Sequence, residues 1–285
     1  MKYQIIFNPM ARNRKSKKFL DQVCGRLDKE GLEYVVHSTE SRGHAEKMAG
    51  ELSKEHKEII VVGGDGTIHE VINGISNHSD VNLALIPAGT GNDFCGGFNG
   101  TVDSVMDAVI AGKTQPTDFM EFNDRICVNV GGTGLDVSVL EGVAKGKMKS
   151  SIKYTWCLIK CVFTYKAQKV RVVADGYEFD EKALIVAVCN GTRLGGGLPI
   201  CPTASVDDKK IEVVIVKDMS TMKLLGAVSY LLRNRLLEVP LVEHITCNEV
   251  EFIPEKACTI QMDGELYHNV TSLKAKVRQA LNLYR

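Results

Sequence analysis

The sequence lacks net charge, a long apolar run and any cysteine pattern. Its 285 residues carry 35 basic and 35 acidic side chains, whereas dedicated nucleic-acid binders carry a basic excess, so no nucleic-acid partner is expected. No apolar run approaches the roughly 18 residues of a membrane-spanning helix, and the N-terminus shows no leader pattern. The nine cysteines are not closely spaced, which is typical of reduced thiols. A cytoplasmic protein is expected.

What the sequence contains is an ordinary globular composition, 44% hydrophobic and 25% charged, which suits one large domain or two smaller ones. Over residues 1–118, strand-like and helix-like segments alternate. The strand segments 3–7, 59–62 and 83–86 are almost continuously apolar. Such strands are typical of a parallel sheet covered on both faces by helices. This part is therefore predicted to be an α/β domain.

From about residue 119 the pattern changes to strands in succession. Helical patterns interrupt it at about 152–165 and 221–237, and Asp175-Gly176 and Asp263-Gly264 favour hairpin turns. Six segments have strand patterns: 126–130, 170–174, 183–189, 211–216, 250–253 and 258–262.

Residues 119–285 are therefore predicted to form a second, mainly antiparallel β-rich domain. The last segment, about residues 274–285, could pack back on the first domain. A ligand cleft is expected between the two domains, and exposed strand edges in the second would allow a homodimer.

The most informative segment is a glycine-rich loop that follows an apolar strand, Ile59-Ile-Val-Val-Gly-Gly-Asp-Gly-Thr67. Glycines let a backbone approach a ligand closely, and a helix start offers N–H groups to an anion. Asp65 adds a carboxylate where phosphates and magnesium would meet. The alternative is a tight strand-to-helix turn with Thr67 near the N-cap. No Gly-Lys-Ser/Thr follows, so the loop is not a P-loop.

A second loop repeats this pattern in Ile86-Pro-Ala-Gly-Thr-Gly-Asn-Asp93. Gly89 and Gly91 flank Thr90, whose hydroxyl could donate to a ligand, and Asp93 supplies another carboxylate. Because the carboxyl ends of parallel strands meet at one edge of a sheet, the two loops are expected to converge on one site.

Together the two loops resemble the diacylglycerol kinase catalytic family, which includes bacterial soluble lipid kinases and the sphingosine and ceramide kinases. The resemblance spans nearly the whole chain. It implies an ATP- and Mg²⁺-dependent kinase that phosphorylates a lipid hydroxyl, converting diacylglycerol to phosphatidate. The further matching motifs are Asn8-Pro9, residues 129–136, Asn190-Gly191, residues 195–197, Asp207-Asp208 and Asp263-Gly-Glu265.

The resemblance also implies roles for individual residues. Asp65 and Glu265 would be catalytic, Glu265 as the general base; from the residues alone, Glu265 could equally be a solvated hairpin carboxylate. Arg12 and Lys209 stand where the family usually has glycine. ATP would contact Asn8, Thr39, Gly64, Asp65, Gly66, Thr67, Glu70 and Thr90. One magnesium network would involve Asp65, Asp93 and Asp118, and a second, structural magnesium would bind around Ser205, Asp208 and Lys210.

Basic clusters suggest where a membrane would be met. Each basic side chain near an anionic bilayer contributes about 1 kcal/mol, so transient peripheral association with an anionic membrane surface is expected; a solvated helix face is the alternative. One cluster comprises Arg12, Arg14, Lys15, Lys17 and Lys18. The other comprises Lys145, Lys147, Lys149 and Lys153, beside Tyr154, Trp156, Leu158 and Ile159.

Two other functions remain open at this point. An NAD kinase-like small-molecule kinase would share the first glycine loop, and a catalytically silent nucleotide- or lipid-binding regulator would share both. No zinc site is expected, because none of the seven histidines has metal-ligand spacing to a cysteine.

Overall fold

The structure, a computed structural model, describes residues 2–98, 100–144 and 151–285. Three lysines of the second basic cluster, at positions 145, 147 and 149, lie outside these residues, as does the side chain of the fourth, Lys153. The chain divides into two compact units. The N-terminal unit comprises Met1–Phe119 and Gln279–Arg285, and the C-terminal unit comprises Met120–Arg278. Among the described helices, none is long and apolar enough to span a bilayer.

The N-terminal unit alternates strands and helices. Its strands are β1 (Lys2–Phe7), β2 (Glu33–Ser38), β3 (Glu58–Gly63), β4 (Asn82–Pro87), the start of β5 (Thr114–Phe122) and the end of β15 (Leu273–Tyr284). Its helices are α1 (Ala11–Arg14), α2 (Lys17–Lys29), α3 (His44–Leu52), α4 (Asp65–Gly74), α5 (Asp93–Gly97) and α6 (Val102–Ile110).

These strands form a parallel sheet in the order β2-β1-β3-β4-β15. Every residue of β3 is buried, as a strand covered on both faces must be. The last strand is fixed by a buried carboxylate. Glu58 accepts a hydrogen bond of 2.6 Å from the Tyr284 hydroxyl and one of 2.9 Å from Asn82 Nδ2. The chain terminus is therefore part of this sheet.

The C-terminal unit is rich in antiparallel strands. Its strands, besides the remaining parts of β5 and β15, are β6 (Arg125–Cys127), β7 (Val130–Gly134), β8 (Gln168–Ala174), β9 (Tyr177–Cys189), β10 (Ile211–Lys217), β11 (Val242–Cys247), β12 (Glu249–Pro254), β13 (Cys258–Met262) and β14 (Glu265–Val270). Its helices are α7 (Leu135–Ala144), α8 (Ser151–Thr164) and α9 (Thr221–Leu232).

Strand β9 organises this unit because it pairs antiparallel with β7, β8 and β10. Successive residues of β10 point to opposite faces of the sheet, as strand geometry requires. Val213 belongs to a core formed among strands. Val214 belongs to a second core that includes Leu224 of α9 and Val162 of α8. The predicted pairing of a parallel α/β part with an antiparallel β-rich part is confirmed.

The two predicted hairpin turns are also confirmed. Asp175 and Gly176 have φ of 39° and 88°, and Asp263 and Gly264 have φ of 51° and 86°. Positive φ at both central positions is the requirement of a two-residue type I′ turn. The turns join β8 to β9 and β13 to β14.

Some predicted boundaries were wrong. The predicted strand at 126–130 is divided into β6 and β7, and the helix predicted to start at 67 begins at Asp65. Helix α7 was not predicted because its valine-rich sequence lacks a clear polar face. Strand β15 was not predicted because its lysines, alanines and leucines are residues that favour helices.

Candidate active site

The first glycine loop connects β3 directly to the N-terminus of α4. The carbonyl of Gly64 accepts backbone hydrogen bonds from Thr67 and Ile68 at 2.9 and 3.0 Å. Gly64 is itself the N-cap residue and, as a glycine, has no side chain that could cap the helix. Thr67 therefore lies in the first turn of α4, three residues after the N-cap, and the tight strand-to-helix turn of the alternative is present. The buried Thr67 hydroxyl accepts a hydrogen bond of 2.9 Å from Asn8 Nδ2.

The second loop is folded around Asn92, a residue for which no role was predicted. Its side-chain Oδ1 accepts from the Gly89 amide at 2.8 Å, and its Nδ2 donates to the Gly89 carbonyl at 3.2 Å. Asn92 has φ of 55°, a left-handed conformation that asparagine tolerates better than most residues. Its backbone N–H donates to Asp65 Oδ2 at 2.7 Å. Asp65 thus joins the first loop to the second.

The two loops touch through glycine backbones. A Cβ added at Gly89 would lie 2.5 Å from Gly64 Cα, and a Cβ added at Gly64 would lie 2.9 Å from Gly89 Cα. Real Cβ atoms do not approach a backbone atom so closely, so both positions require glycine. The predicted convergence of the loops is confirmed. The Gly66 amide in the first turn of α4 lies beside this contact, where it can bind an anion.

Two carboxylates belong to these loops, and a third lies on β5. Asp65 is half-buried, Asp93 is buried at the start of α5, and Asp118 is completely buried on β5. Burial, and secondarily the negative charge of Asp65, raise the pKa of the Cys95 thiol in α5. Carboxylate oxygens are the ligands that magnesium prefers. These residues therefore fit a magnesium ion that accompanies phosphates.

The C-terminal residue connects β5 to the end of α5. Arg285 Nε donates to Thr117 Oγ1 at 3.2 Å, and its guanidinium lies 5.7 Å from the centre of the Phe98 ring. Thr117 directly precedes Asp118. The position of Asp118 therefore depends in part on the end of the chain, which sequence patterns could not show.

The remaining predicted nucleotide contacts have different surroundings. Thr39 is buried, and its amide donates to the Phe7 carbonyl at 2.8 Å, extending the sheet. Thr90 is exposed on the second loop. The carboxylate of Glu70 accepts from the amides of Gly43 and Ala45 at 2.9 and 3.2 Å. Glu70 therefore stabilises the N-terminus of α3, where backbone N–H groups need acceptors.

In the C-terminal unit, Glu265 is the first residue of β14 and is half-buried. The turn before it is fixed by Asp263, whose carboxylate accepts from the amides of Val128 and Asn129 at 3.0 and 2.9 Å. The Asp263 amide donates to the Val130 carbonyl at 3.0 Å. Asp263 is thus a positioning residue for Glu265. Sequence reasoning treated it only as a turn residue.

Gln261 and the carboxyl group of Asp136 support the same turn through hydrogen bonds. Gln261 Oε1 accepts from the Gly264 amide at 2.9 Å, and the Gln261 side chain also hydrogen-bonds Asp136 at the start of α7. Asp136 is buried, and its Oδ1 has no hydrogen-bond partner. Burial raises the pKa of Asp136 to about 6. The buried Asp136 is therefore linked through the side-chain amide of Gln261 to the turn that holds Glu265.

The predicted structural-magnesium segment is a polar loop of the C-terminal unit. Ser205 Oγ donates to Asp207 Oδ1 at 2.7 Å, and the Lys210 amide donates to Asp208 Oδ1 at 2.9 Å. Lys209 has φ of 60°, and Arg12 in α1 has φ of 50°. Both residues therefore occupy left-handed conformations that glycine adopts more easily. This explains why the family usually has glycine at these positions.

Comparisons with known proteins agree with this geometry. Residues 2–122 match the diacylglycerol kinase catalytic domain, and residues 129–285 match the YegS C-terminal NAD kinase beta sandwich-like domain. A diacylglycerol kinase of Bacillus subtilis is 26% identical over 92% of this chain and 89% of its own length. A protein of Alcanivorax borkumensis named “Probable lipid kinase YegS-like” is 27% identical over 90% of this chain and 88% of its own.

A crystal structure titled as a diacylglycerol kinase of Bacillus anthracis has the same fold. Its TM-score is 0.80 at 23% identity, with 99% of this chain and 96% of that chain covered. The fold and the two matched domains define a kinase that acts on lipids. The chain belongs to the diacylglycerol kinase catalytic family.

Substituting Gly89 by alanine should break the contact between the loops. The added Cβ forces the backbones apart, so we expect a loss of about 1–3 kcal/mol in unfolding free energy and at least tenfold weaker ATP binding. The matched control is Gly25→Ala in α2, where nothing lies within 4 Å of the added Cβ. It should be neutral or stabilise the protein by up to about 1 kcal/mol. ATP binding of wild-type strength in Gly89→Ala would contradict the role of this contact.

The buried carboxyl of Asp136 predicts a pH dependence of stability. Because its pKa is raised in the folded state, the acid favours folding when protonated, and this contribution disappears as the pH rises from about 4 through 6. The unfolding free energy of Asp136→Asn, relative to wild type, should rise by up to about 3 kcal/mol over that range. Urea unfolding at several pH values measures it. The exposed Asp124→Asn is the control; a wild-type-to-variant difference that does not vary with pH would refute the assignment.

Proposed function

We propose that this protein transfers the γ-phosphoryl group of ATP to the hydroxyl of a membrane lipid, and that diacylglycerol is the acceptor. The observation that carries the proposal is the contact of Gly64 with Gly89 beside the N-terminus of α4. It sets the N-terminus of α4 next to the carboxylates of Asp65 and Asp93. That arrangement suits a polyphosphate and its metal ion, whereas an apolar cofactor would gain nothing there.

Residues of the N-terminal unit would position the phosphates of ATP and supply charge. The backbone amide of Gly66 would bind a phosphate oxygen, and the Asn8–Thr67 hydrogen bond holds the first turn in place. Asp65, Asp93 and Asp118 would hold magnesium, directly or through water. When bound, magnesium neutralises phosphate charge. Phosphoryl transfer needs little covalent work by the protein, so this positioning is the main requirement.

In the C-terminal unit, Glu265 would accept the proton of the lipid hydroxyl. A base on a flexible hairpin would lose its alignment, but Asp263 fixes this turn by three hydrogen bonds to residues 128–130. Gln261 restrains it at Gly264. The half-buried position of Glu265 allows both contact with an acceptor and partial exclusion of water. These contacts support its role as general base.

An exposed apolar stripe supports a lipid acceptor at a membrane. Trp156, Ile159 and Phe163 of α8 are 68%, 52% and 62% exposed. Their spacing of three and four residues places them on one side of the helix. Met222 and Leu232 of α9, the helix packed beside α8, are exposed as well. Soluble surfaces rarely carry so many large apolar side chains together, and the lysines that precede α8 in the sequence, at positions 145, 147 and 149, favour an anionic bilayer.

The acceptor is tested by offering labelled ATP and magnesium together with diacylglycerol in anionic mixed micelles, with NAD in a parallel reaction. NAD is included because the C-terminal domain also resembles that of NAD kinases. Labelled phosphatidate is the expected product. Labelled NADP would instead establish the small-molecule kinase, and ATP binding without transfer to either acceptor would count in favour of a silent regulator.

Replacing the proposed base should separate chemistry from binding. Glu265→Gln keeps the size of the side chain but removes the proton acceptor, so turnover should fall about 100-fold or more while ATP affinity stays within about twofold. Glu178→Gln, which loses only a surface ion pair with Arg171, should retain full activity. Turnover above a tenth of the wild-type rate in Glu265→Gln would exclude Glu265 as the base.

Placing a charge on the apolar stripe of α8 should weaken membrane binding without affecting the steps that take place away from the membrane. We expect Phe163→Glu to reduce sedimentation with phosphatidylglycerol vesicles at least fivefold, because a carboxylate replaces an exposed ring. Gln22→Glu on α2 adds the same charge at an exposed position and should leave sedimentation unchanged. Equal vesicle binding by Phe163→Glu and wild type would show that α8 does not contact the membrane.

A further inference from the structure

A group of metal-binding side chains lies in the C-terminal unit, outside the residues already assigned. Cys201, Glu212 and His244 place one ligand atom each within 4.8 Å of the others. Glu212 is on β10 and His244 on β11, and these strands pair with Val214 opposite His244 and Glu212 opposite Thr246. The three residues come from distant parts of the sequence. The β10–β11 pairing brings Glu212 and His244 together, and Cys201, in the segment before β10, lies beside them.

Three polar atoms converge on a single atom, the Nε2 of His244. Glu212 Oε2 lies 2.5 Å from it, Thr203 Oγ1 lies 3.4 Å and Cys201 Sγ lies 3.9 Å. One ring nitrogen carries either one hydrogen or one lone pair, so it cannot satisfy three neighbours with one hydrogen bond. A cation placed among them would interact with all of them at once.

The same geometry argues against a nucleophilic triad. In such a triad the acid binds one imidazole nitrogen and the nucleophile binds the other. Here the carboxylate and the sulfur both face Nε2. Proton relay from Cys201 through the ring to Glu212 is therefore not possible. Convergence on one point is instead the pattern of a metal site.

The chemistry of the group favours a borderline-soft ion. Cysteine binds metal ions as the thiolate, so Cys201 would lose its proton when the ion binds. Thiolate, imidazole and carboxylate together form a donor set for zinc, whereas magnesium prefers oxygen alone. Thr246 Oγ1 donates to Glu212 Oε2 at 2.9 Å and so orients this carboxylate, as outer partners of metal ligands do.

We propose that Cys201, Glu212 and His244 form a Zn²⁺ site of this protein, with water or Thr203 as the fourth ligand. Tetrahedral Zn²⁺ would separate its N and O ligands by about 3.4 Å and its S and N ligands by about 3.6 Å. The Cys201–His244 pair is close to this spacing, and the Glu212–His244 pair must open. Cys201 and Glu212 are buried while His244 is exposed, so the ion enters from the His244 side.

The site is distinct from the magnesium assignments made above. Its ligands include a sulfur and a nitrogen, and none of Asp65, Asp93, Asp118, Ser205, Asp208 and Lys210 belongs to it. Because Cys201 begins the loop that leads to Ser205, the ion would fix this loop to the β10–β11 pair. The expected role is structural.

The test is a Zn²⁺ titration of the intact protein against a chromogenic chelator, in the presence of excess Mg²⁺. We expect one Zn²⁺ per chain, with protons released on binding. Co²⁺ in place of Zn²⁺ should give a thiolate-to-metal charge-transfer band. Cys201→Ser and His244→Gln should each weaken Zn²⁺ binding at least tenfold and Cys201→Ser should abolish the band, while Cys24→Ser and His56→Gln should leave both unchanged.

Because Cys201 is buried, its variant could lose stability, and His244→Gln at the surface then carries the test. Circular dichroism before each titration verifies that both variants are folded. The proposal is overturned if wild type binds no stoichiometric Zn²⁺ at micromolar concentration. It is equally overturned if folded His244→Gln binds Zn²⁺ as tightly as wild type, or if Mg²⁺ displaces the ion.

Discussion

The contact between the backbones of Gly64 and Gly89 determines the shape of the proposed nucleotide site. Gly64 and Gly89 approach so closely that neither can carry a side chain. This closeness brings the ends of β3 and β4 together and lets Asp65 reach the amide of Asn92 at 2.7 Å. Asn92 in turn closes the second loop through its own side chain. A phosphate surface of this kind therefore depends on missing Cβ atoms as much as on the residues that are present.

The two units hold their functional carboxylates by different means. Asp65 is oriented directly by a backbone amide of a neighbouring loop. Glu265 is oriented indirectly, because Asp263 and Gln261 fix the turn that precedes it. The indirect arrangement leaves the Glu265 side chain available for a proton, which suits a base. Asp65 is committed to structure and charge, which suits a residue that helps to hold a metal ion.

Local sequence patterns were sufficient for the elements whose chemistry is local. The apolar strand before Gly63, the glycines after it and the Asp-Gly turn before Glu265 each signal their conformation within a few residues. The roles of Asp263 and of Glu70, which stabilises the N-terminus of α3, could not be found in this way. Their partners are set by tertiary packing. The left-handed conformations of Arg12 and Lys209 could not be predicted either, because such conformations are predicted from glycines and neither residue is a glycine.

Metal-ligand spacing between histidines and cysteines could not reveal the Cys201–Glu212–His244 group. Spacing rules describe sites built from one short segment, such as a hairpin or a helix turn. Cys201 and His244 are 43 residues apart in sequence, and the pairing of β10 with β11 brings His244 to Glu212 beside Cys201. In a β-rich unit, ligands are brought together by strand register across a sheet. Long-range register, which the sequence alone does not specify here, thus decides whether isolated cysteines and histidines are packing residues or ligands.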